Sequence, residues 1–132
     1  MKKKILIVMA NYYQQISRRL LNSTKEVLQE PFDLILVPGV FEIPVTIAKN
    51  IKKYDGFIAL GCIIKGETSH FDFISKATID GIMKLSIENK KPIGNGIITC
   101  LNLKQALARR KKGYEAAAAL LSILYPVKTS TE

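Results

Sequence analysis

The chain has no apolar run approaching the roughly 18 residues that a membrane-spanning helix needs, which excludes a bilayer span. Its first apolar stretch, Ile5 to Ala10, follows the basic Lys2-Lys3-Lys4 but is only six residues long. Asn11 ends that stretch and no small-residue cleavage site follows, so it reads as a strand and not as a secretory signal. The expected compartment is therefore the cytoplasm. Cysteine is scarce: Cys62 and Cys100 each sit toward the end of an apolar run, with no partner at metal-ligand spacing. That spacing argues against a zinc or redox motif and leaves two small buried hydrophobes. Internal repeats, low-complexity segments and linkers are lacking, so 1–132 is read as one domain. The glycines match neither the dinucleotide fingerprint nor the phosphate loop that ends in Lys-Ser/Thr, so neither NAD nor ATP is indicated.

Hydrophobic residues make up 48% of the 132, enough for a core and too many for a disordered chain. The net charge is +9, from 20 basic and 11 acidic side chains. Such a balance favours anionic partners. The charges are spread, however, over Lys2 to Lys4, Arg18-Arg19, Lys52-Lys53, Lys90-Lys91 and Arg109 to Lys112. Near helix ends and in loops they read as a solvated surface with helix-dipole complements. A nucleic-acid-binding reading rests on the charge alone, since no recognised motif is present and the aromatics are not interleaved with the basic runs.

Periodicity divides the chain cleanly. Lys4 to Met9 reads as a strand. From Gln15 to Gln29, Ile16, Leu20, Val27 and Leu28 recur near helical spacing, with Pro31 as the expected stop. Phe32 to Val37 is a second strand, turned at Pro38-Gly39. Pro44 suits the first turn of a helix faced by Ile47, Ala48 and Ile51. Phe57 to Ile64 is a nearly all-apolar strand, and Phe71 to Glu88 a helix. Ile93 to Thr99 is a fourth strand, and helices at Leu103 to Arg109 and Tyr114 to Tyr125 close the chain. Strict alternation of strand and helix implies a four-stranded parallel sheet between two helical layers. Apolar strands such as Phe57 to Leu60 suit burial on both faces.

In such a sheet, ligands bind beyond the carboxyl ends of the strands. Four loops qualify, at Asn11-Tyr12, Pro38 to Glu42, Lys65 to His70 and Thr99 to Asn102. The third carries a lysine, a glycine, a carboxylate, two hydroxyls and the only histidine, just before a helix. A helix amino terminus suits a phosphate, and Gly66 lets backbone approach it closely. Thr68 and Ser69 can add hydroxyl donors there, or can simply cap the helix. His70 can move protons near neutral pH, or can be structural. Glu42 at a helix start is favourable on dipole grounds alone. Tyr12 can stack on a planar ring, or cover the sheet edge.

Two stretches go further. Val37-Pro38-Gly39-Val40-Phe41-Glu42-Ile43-Pro44 resembles the Val-Pro-Gly-Ala-Phe-Glu-Ile-Pro motif of the 6,7-dimethyl-8-ribityllumazine synthases. Gly61-Cys62-Ile63-Ile64-Lys65-Gly66-Glu67-Thr68-Ser69-His70-Phe71-Asp72 resembles that family's second signature, Gly-x-Val-Ile-Arg/Lys-Gly-x-Thr-x-His-Phe/Tyr-Asp. Asn95 to Thr99, Gln105-Ala106 with the arginines that follow, and Lys112-Gly113-x-Glu-Ala extend the similarity over nearly the whole chain. The resemblance implies a flavodoxin-like fold and a transferase of riboflavin biosynthesis. The family condenses 5-amino-6-ribitylamino-uracil with 3,4-dihydroxy-2-butanone 4-phosphate, through an imine, loss of phosphate and ring closure, with no metal or organic cofactor.

By the same resemblance, Tyr12 faces the pyrimidine, Val40, Phe41 and Glu42 hold the ribityl chain, and Cys62, Ile63 and Ile64 wall the ring. Gly66, Glu67 and Thr68 take the phosphate, joined by Arg109 from an adjacent subunit. His70 transfers protons, Lys112 approaches the pyrimidine, and Asn95 comes from the partner subunit. Sites between subunits imply a homo-oligomer with a pentamer as minimal unit. Only about four residues precede the first strand, so a pentamer or a dimer of pentamers is expected rather than a 60-subunit shell. The chain departs from the family's common residues at Asn11, Tyr13 and Asn95, and the segment between Arg109 and Lys112 is short. Two other readings share the same residues: an archaeal-type riboflavin synthase and a non-catalytic flavin- or lumazine-binding protein. The phosphate loop with His70 favours the lumazine synthase over the first, and His70, Glu42 and Arg109 argue against the second, because binding alone requires no base.

Overall fold

A computed structural model describes residues 2–66 and 70–131. The elements run β1 (Ile5–Ala10), α1 (Gln14–Val27), β2 (Asp33–Val37), a 3-10 turn (Val40–Glu42), α2 (Ile43–Asn50), β3 (Gly56–Ile64), α3 (His70–Asn89), β4 (Ile93–Cys100), α4 (Leu103–Ala108) and α5 (Lys112–Leu124). All four strands are parallel, in the order β2-β1-β3-β4. This is the three-layer α/β/α arrangement expected from the alternation, and it is flavodoxin-like as the family resemblance implies.

Successive residues of a strand point to opposite faces, and every residue of β1 is buried. Ile5, Ile7 and Met9 join Ile58, Leu60 and Ile98 in one core with Ile16 and Leu20 of α1 and Ala116, Ala117 and Leu120 of α5. Leu6, Val8 and Ala10 join Phe57, Ala59 and Ile97 in the other, with Ile43 and Ile47 of α2 and Ile82 of α3. The sheet thus separates two dry layers, and its strand ends are where polar groups can gather.

Most boundaries shift by one residue from expectation, and three differences have a clear physical origin. Helix α1 stops at Val27, before Pro31 can act. Leu28 leaves helical geometry (φ −82°, ψ 98°) while its N–H still bonds the Thr24 carbonyl, and its buried side chain turns into the core. Burial of one leucine therefore ends the helix two residues before the expected Gln29. The Val40–Glu42 turn precedes α2 as a separate piece, with Pro44 in the first turn of α2 as its fixed φ favours. Helix α5 begins at Lys112, two residues before Tyr114. Gly113 is the reason: a Cβ there would collide with the Leu20 carbonyl, so α1 and α5 meet backbone to backbone. Ser23 Oγ fastens the same contact, donating to the Arg110 carbonyl (2.6 Å) and accepting from the Tyr114 N–H (3.2 Å). Among the described residues, no helix is long and apolar enough to cross a membrane.

Candidate active site

The strand order reverses between β1 and β3, because β1 leads outward to β2 and the chain then returns to lay β3 on the other side. The last β1–β3 pair is Met9 with Leu60. Beyond it the two strands part company. The Asn11 N–H bonds the Val37 carbonyl of β2 (2.9 Å), whereas Gly61 to Ile64 pair with β4 and the Lys65 N–H bonds the Cys100 carbonyl (2.9 Å). A crevice must open where the ladders diverge, at the carboxyl ends of the strands.

That crevice is a cavity of about 330 Å³. It gathers Tyr12, Val40, Phe41, Cys62, Ile63, Ile64, Gly66 and His70 from four separate segments of sequence. Its floor depends on Gly61. A Cβ there would lie 2.6 Å from Val40 Cγ1 and 3.1 Å from Ala10 Cβ, so only glycine lets the Val40 turn settle over β3. Tyr12 and Phe41 stand exposed at the mouth. The Cys62 thiol is pushed up to about 12, first by burial and then by neighbouring Cys100, so it serves the wall as a neutral group near pH 7. His70 opens α3 at the rim.

The remaining sequence-derived residues lie elsewhere. Glu42 reaches back over its own turn, where Oε1 accepts from the Gly39 N–H (2.9 Å). It lines an adjoining apolar groove with Phe41, Pro44, Val45, Ala77 and Thr78. Arg109 and Lys112 line a different cavity of about 370 Å³ beside β4, with Ile97, Ile98, Thr99 and Glu115. There Arg109 Nη1 donates to the Thr99 carbonyl (2.9 Å). This second cavity shares no lining residue with the first. Asn95 lies on edge strand β4, and its Oδ1 accepts from the Ile97 N–H (3.0 Å). Glu67 and Thr68, with Ser69, fall outside the described residues. Among the described residues, no three His, Cys, Asp or Glu side chains are grouped to hold a metal ion.

Comparison with known proteins bears on what such a crevice serves. A family profile described as 6,7-dimethyl-8-ribityllumazine synthase matches residues 2–127. The chain belongs to the 6,7-dimethyl-8-ribityllumazine synthase family. A protein of that name from Bartonella bacilliformis is 43% identical, over 90% of this chain and 87% of the relative. One from Agrobacterium fabrum is 41% identical over 92% and 93%. One from Blochmanniella pennsylvanica is 38% identical over 96% and 89%. Membership in the synthase family agrees with both signature stretches. The cavity also has lining residues that the motif comparison left without a role: Tyr13, Gly39, Phe71 and Ile74. Tyr13 was within reach of sequence reasoning, since it follows the end of β1. Ile74 was not, because helical spacing marks it as core.

Proposed function

We propose that this protein condenses 5-amino-6-ribitylamino-uracil with 3,4-dihydroxy-2-butanone 4-phosphate to give 6,7-dimethyl-8-ribityllumazine and phosphate. One observation carries the reading: the family's two signature stretches, Val37 to Pro44 and Gly61 to Asp72, meet in a single crevice at the switch point of the sheet. The relatives' names support this condensation over the dismutation of a riboflavin synthase.

The proposed roles follow from what each substrate needs. The pyrimidine is planar and stacks on Tyr12 against the wall of Cys62, Ile63 and Ile64. Val40 and Phe41 border the ribityl chain, and Glu42 accepts from its hydroxyls. Glu42 Oε1 already serves the Gly39 N–H, an arrangement that holds the carboxylate in place beside the turn. Gly66, Glu67 and Thr68 cradle the phosphate. The amine attacks the ketone and water leaves to give an imine, phosphate is then eliminated, and the ribityl-bearing nitrogen closes the ring on the remaining carbonyl with loss of a second water. His70 moves protons in these steps. Holding both substrates together supplies a large part of the acceleration.

Arg109, Lys112 and Asn95 reach a site by way of a second subunit. Their separation from the His70 cavity supports this, since one chain carries the two halves on different surfaces. The apolar surface supports it too. Of the 20 residues of α3, only Thr78 and Ile82 are buried, while Phe73, Met83 and Ile87 are exposed. A homopentamer, or a dimer of pentamers, acting in the cytoplasm without a cofactor, completes the proposal.

The test is an absorbance assay of purified protein with both substrates. Lumazine formed above the uncatalysed background, and only with both present, is the expected result. No product from folded, assembled protein would overturn the reading.

A further inference from the structure

Tyr13 lines the cavity at its junction with the core. Its half-buried ring packs against the buried core layer of Ile16, Leu60 and Cys100, as Cys62, Ile64 and Leu107 also do. Its backbone is held as well. The Tyr13 carbonyl accepts from the Ser17 N–H (2.9 Å), and Ser17 Oγ in turn donates to the Ala10 carbonyl (2.6 Å) at the end of β1. Burial, with Tyr12, Cys62 and Cys100 nearby, raises the Tyr13 phenol above its ordinary value, so it is uncharged near neutral pH. Tyr12, by contrast, is 75% exposed and projects into the mouth. Left alone, such a ring would sample several rotamers, and a ligand stacking on it would have to order it first. It is not left alone. The two rings meet edge to face, with centroids 4.8 Å apart and planes 82° apart. A perpendicular neighbour can occupy at most one face of Tyr12 and leaves the other for a ligand.

We propose that Tyr13 is a positioning residue: its anchored ring sets the orientation of the exposed Tyr12 ring, and with it the plane in which a flat heteroaromatic ligand stacks. This rests on the stacking role given to Tyr12 above. An aromatic pair of this geometry corresponds to about a three- to tenfold effect on an equilibrium.

A double-mutant cycle on the intact protein tests it. Two readouts are used: fluorescence titration with riboflavin, a planar probe carrying a ribityl chain, and KM for each substrate. Tyr13→Leu is expected to weaken riboflavin binding about three- to tenfold. It should raise KM for the pyrimidine by a similar factor while moving KM for the butanone phosphate less than twofold. Tyr13→Phe, which keeps the ring, should restore binding to within about twofold. In a Tyr12→Leu background, Tyr13→Leu should add less than about twofold, because the ring it orients is gone. Should Tyr13→Leu not fold, Tyr13→Met fills more of the space with an adaptable chain and carries the same comparison. Equal losses in both backgrounds would overturn the proposal, as would a Tyr13→Phe loss matching that of Tyr13→Leu. A Tyr12→Leu change without effect on riboflavin or on the pyrimidine would remove the stacking role and this proposal with it. Failure of the reaction itself is distinguishable, because wild-type protein would then form no product while the riboflavin cycle still reports the coupling of the two rings.

Discussion

His70 stands at the first residue of α3, on the rim of the cavity that also holds Tyr12 and Phe41. Under the proposed reaction it shuttles protons, while the walls of the crevice bring amine and ketone together. The second contribution survives loss of the imidazole. His70→Ala should therefore lower kcat by about one to two orders of magnitude, with KM values changed only a few-fold. Steady-state absorbance assays measure this, and an unchanged kcat would remove the proton-transfer role. Much at this level was legible from residue type and position. A strand-end loop with glycine, hydroxyls and the sole histidine pointed to the crevice before any coordinates did. What Glu42 does was not legible. A carboxylate at a helix start reads as a dipole complement, and only the 3-10 geometry of Val40–Glu42 shows it folding back to the Gly39 N–H. The contact of Tyr13 with Tyr12 was hidden for a related reason: perpendicular packing of adjacent rings depends on side-chain rotamers, which spacing does not report.

Helices α1 and α5 depend on a close approach at Gly113, which itself contributes no side chain. At Gly113 two effects oppose. Alanine is favoured over glycine in a helix by about 1 kcal/mol. Against that, overpacking costs about 1–3 kcal/mol, and here the obstacle is the Leu20 carbonyl, which cannot swing away as a side-chain tip can. Ser23 Oγ and Thr24 Oγ1 crowd the same point at 2.6 Å. The clash should win, so Gly113→Ala is expected to lower stability by about 1–2 kcal/mol, read as a lower midpoint in urea with an unchanged slope. An unaltered midpoint would mean that α1 and α5 can separate without loss. The identities and order of these helices followed from apolar periodicity, which is strong because each buries a face against the sheet. Their ends followed less well. The stop of α1 at Val27 is set by Leu28 finding its place in the core, a tertiary effect that masks the nearby proline.

The order β2-β1-β3-β4 gives the molecule one reversal point and therefore one natural crevice. Alternation in the sequence implied a parallel sheet, but no local pattern states which strands are neighbours. In the structure α1, α4 and α5 cover one face of the sheet, and α2 and α3 the other. The arrangement also leaves surfaces that a lone subunit does not cover, among them Leu36 on edge strand β2 (54% exposed) and Phe73 on α3 (70% exposed). Sedimentation equilibrium should accordingly give about 74 kDa for five copies of the 14.7 kDa chain, or about 147 kDa for ten. A stable species near 15 kDa, or one near a megadalton, would contradict the proposed assembly.

The two cavities share no lining residue, and that separation has a genetic consequence. If each working centre takes His70 from one copy and Arg109 from its neighbour, every polypeptide contributes to two centres at once. Damage to either residue is then a lesion in half a centre. A copy lacking His70 and a copy lacking Arg109, each impaired in a uniform ring, would together rebuild an intact centre wherever their sound surfaces meet. Two defective alleles of one gene would then complement each other, and the pattern of complementing pairs would map which surface of the chain each residue serves.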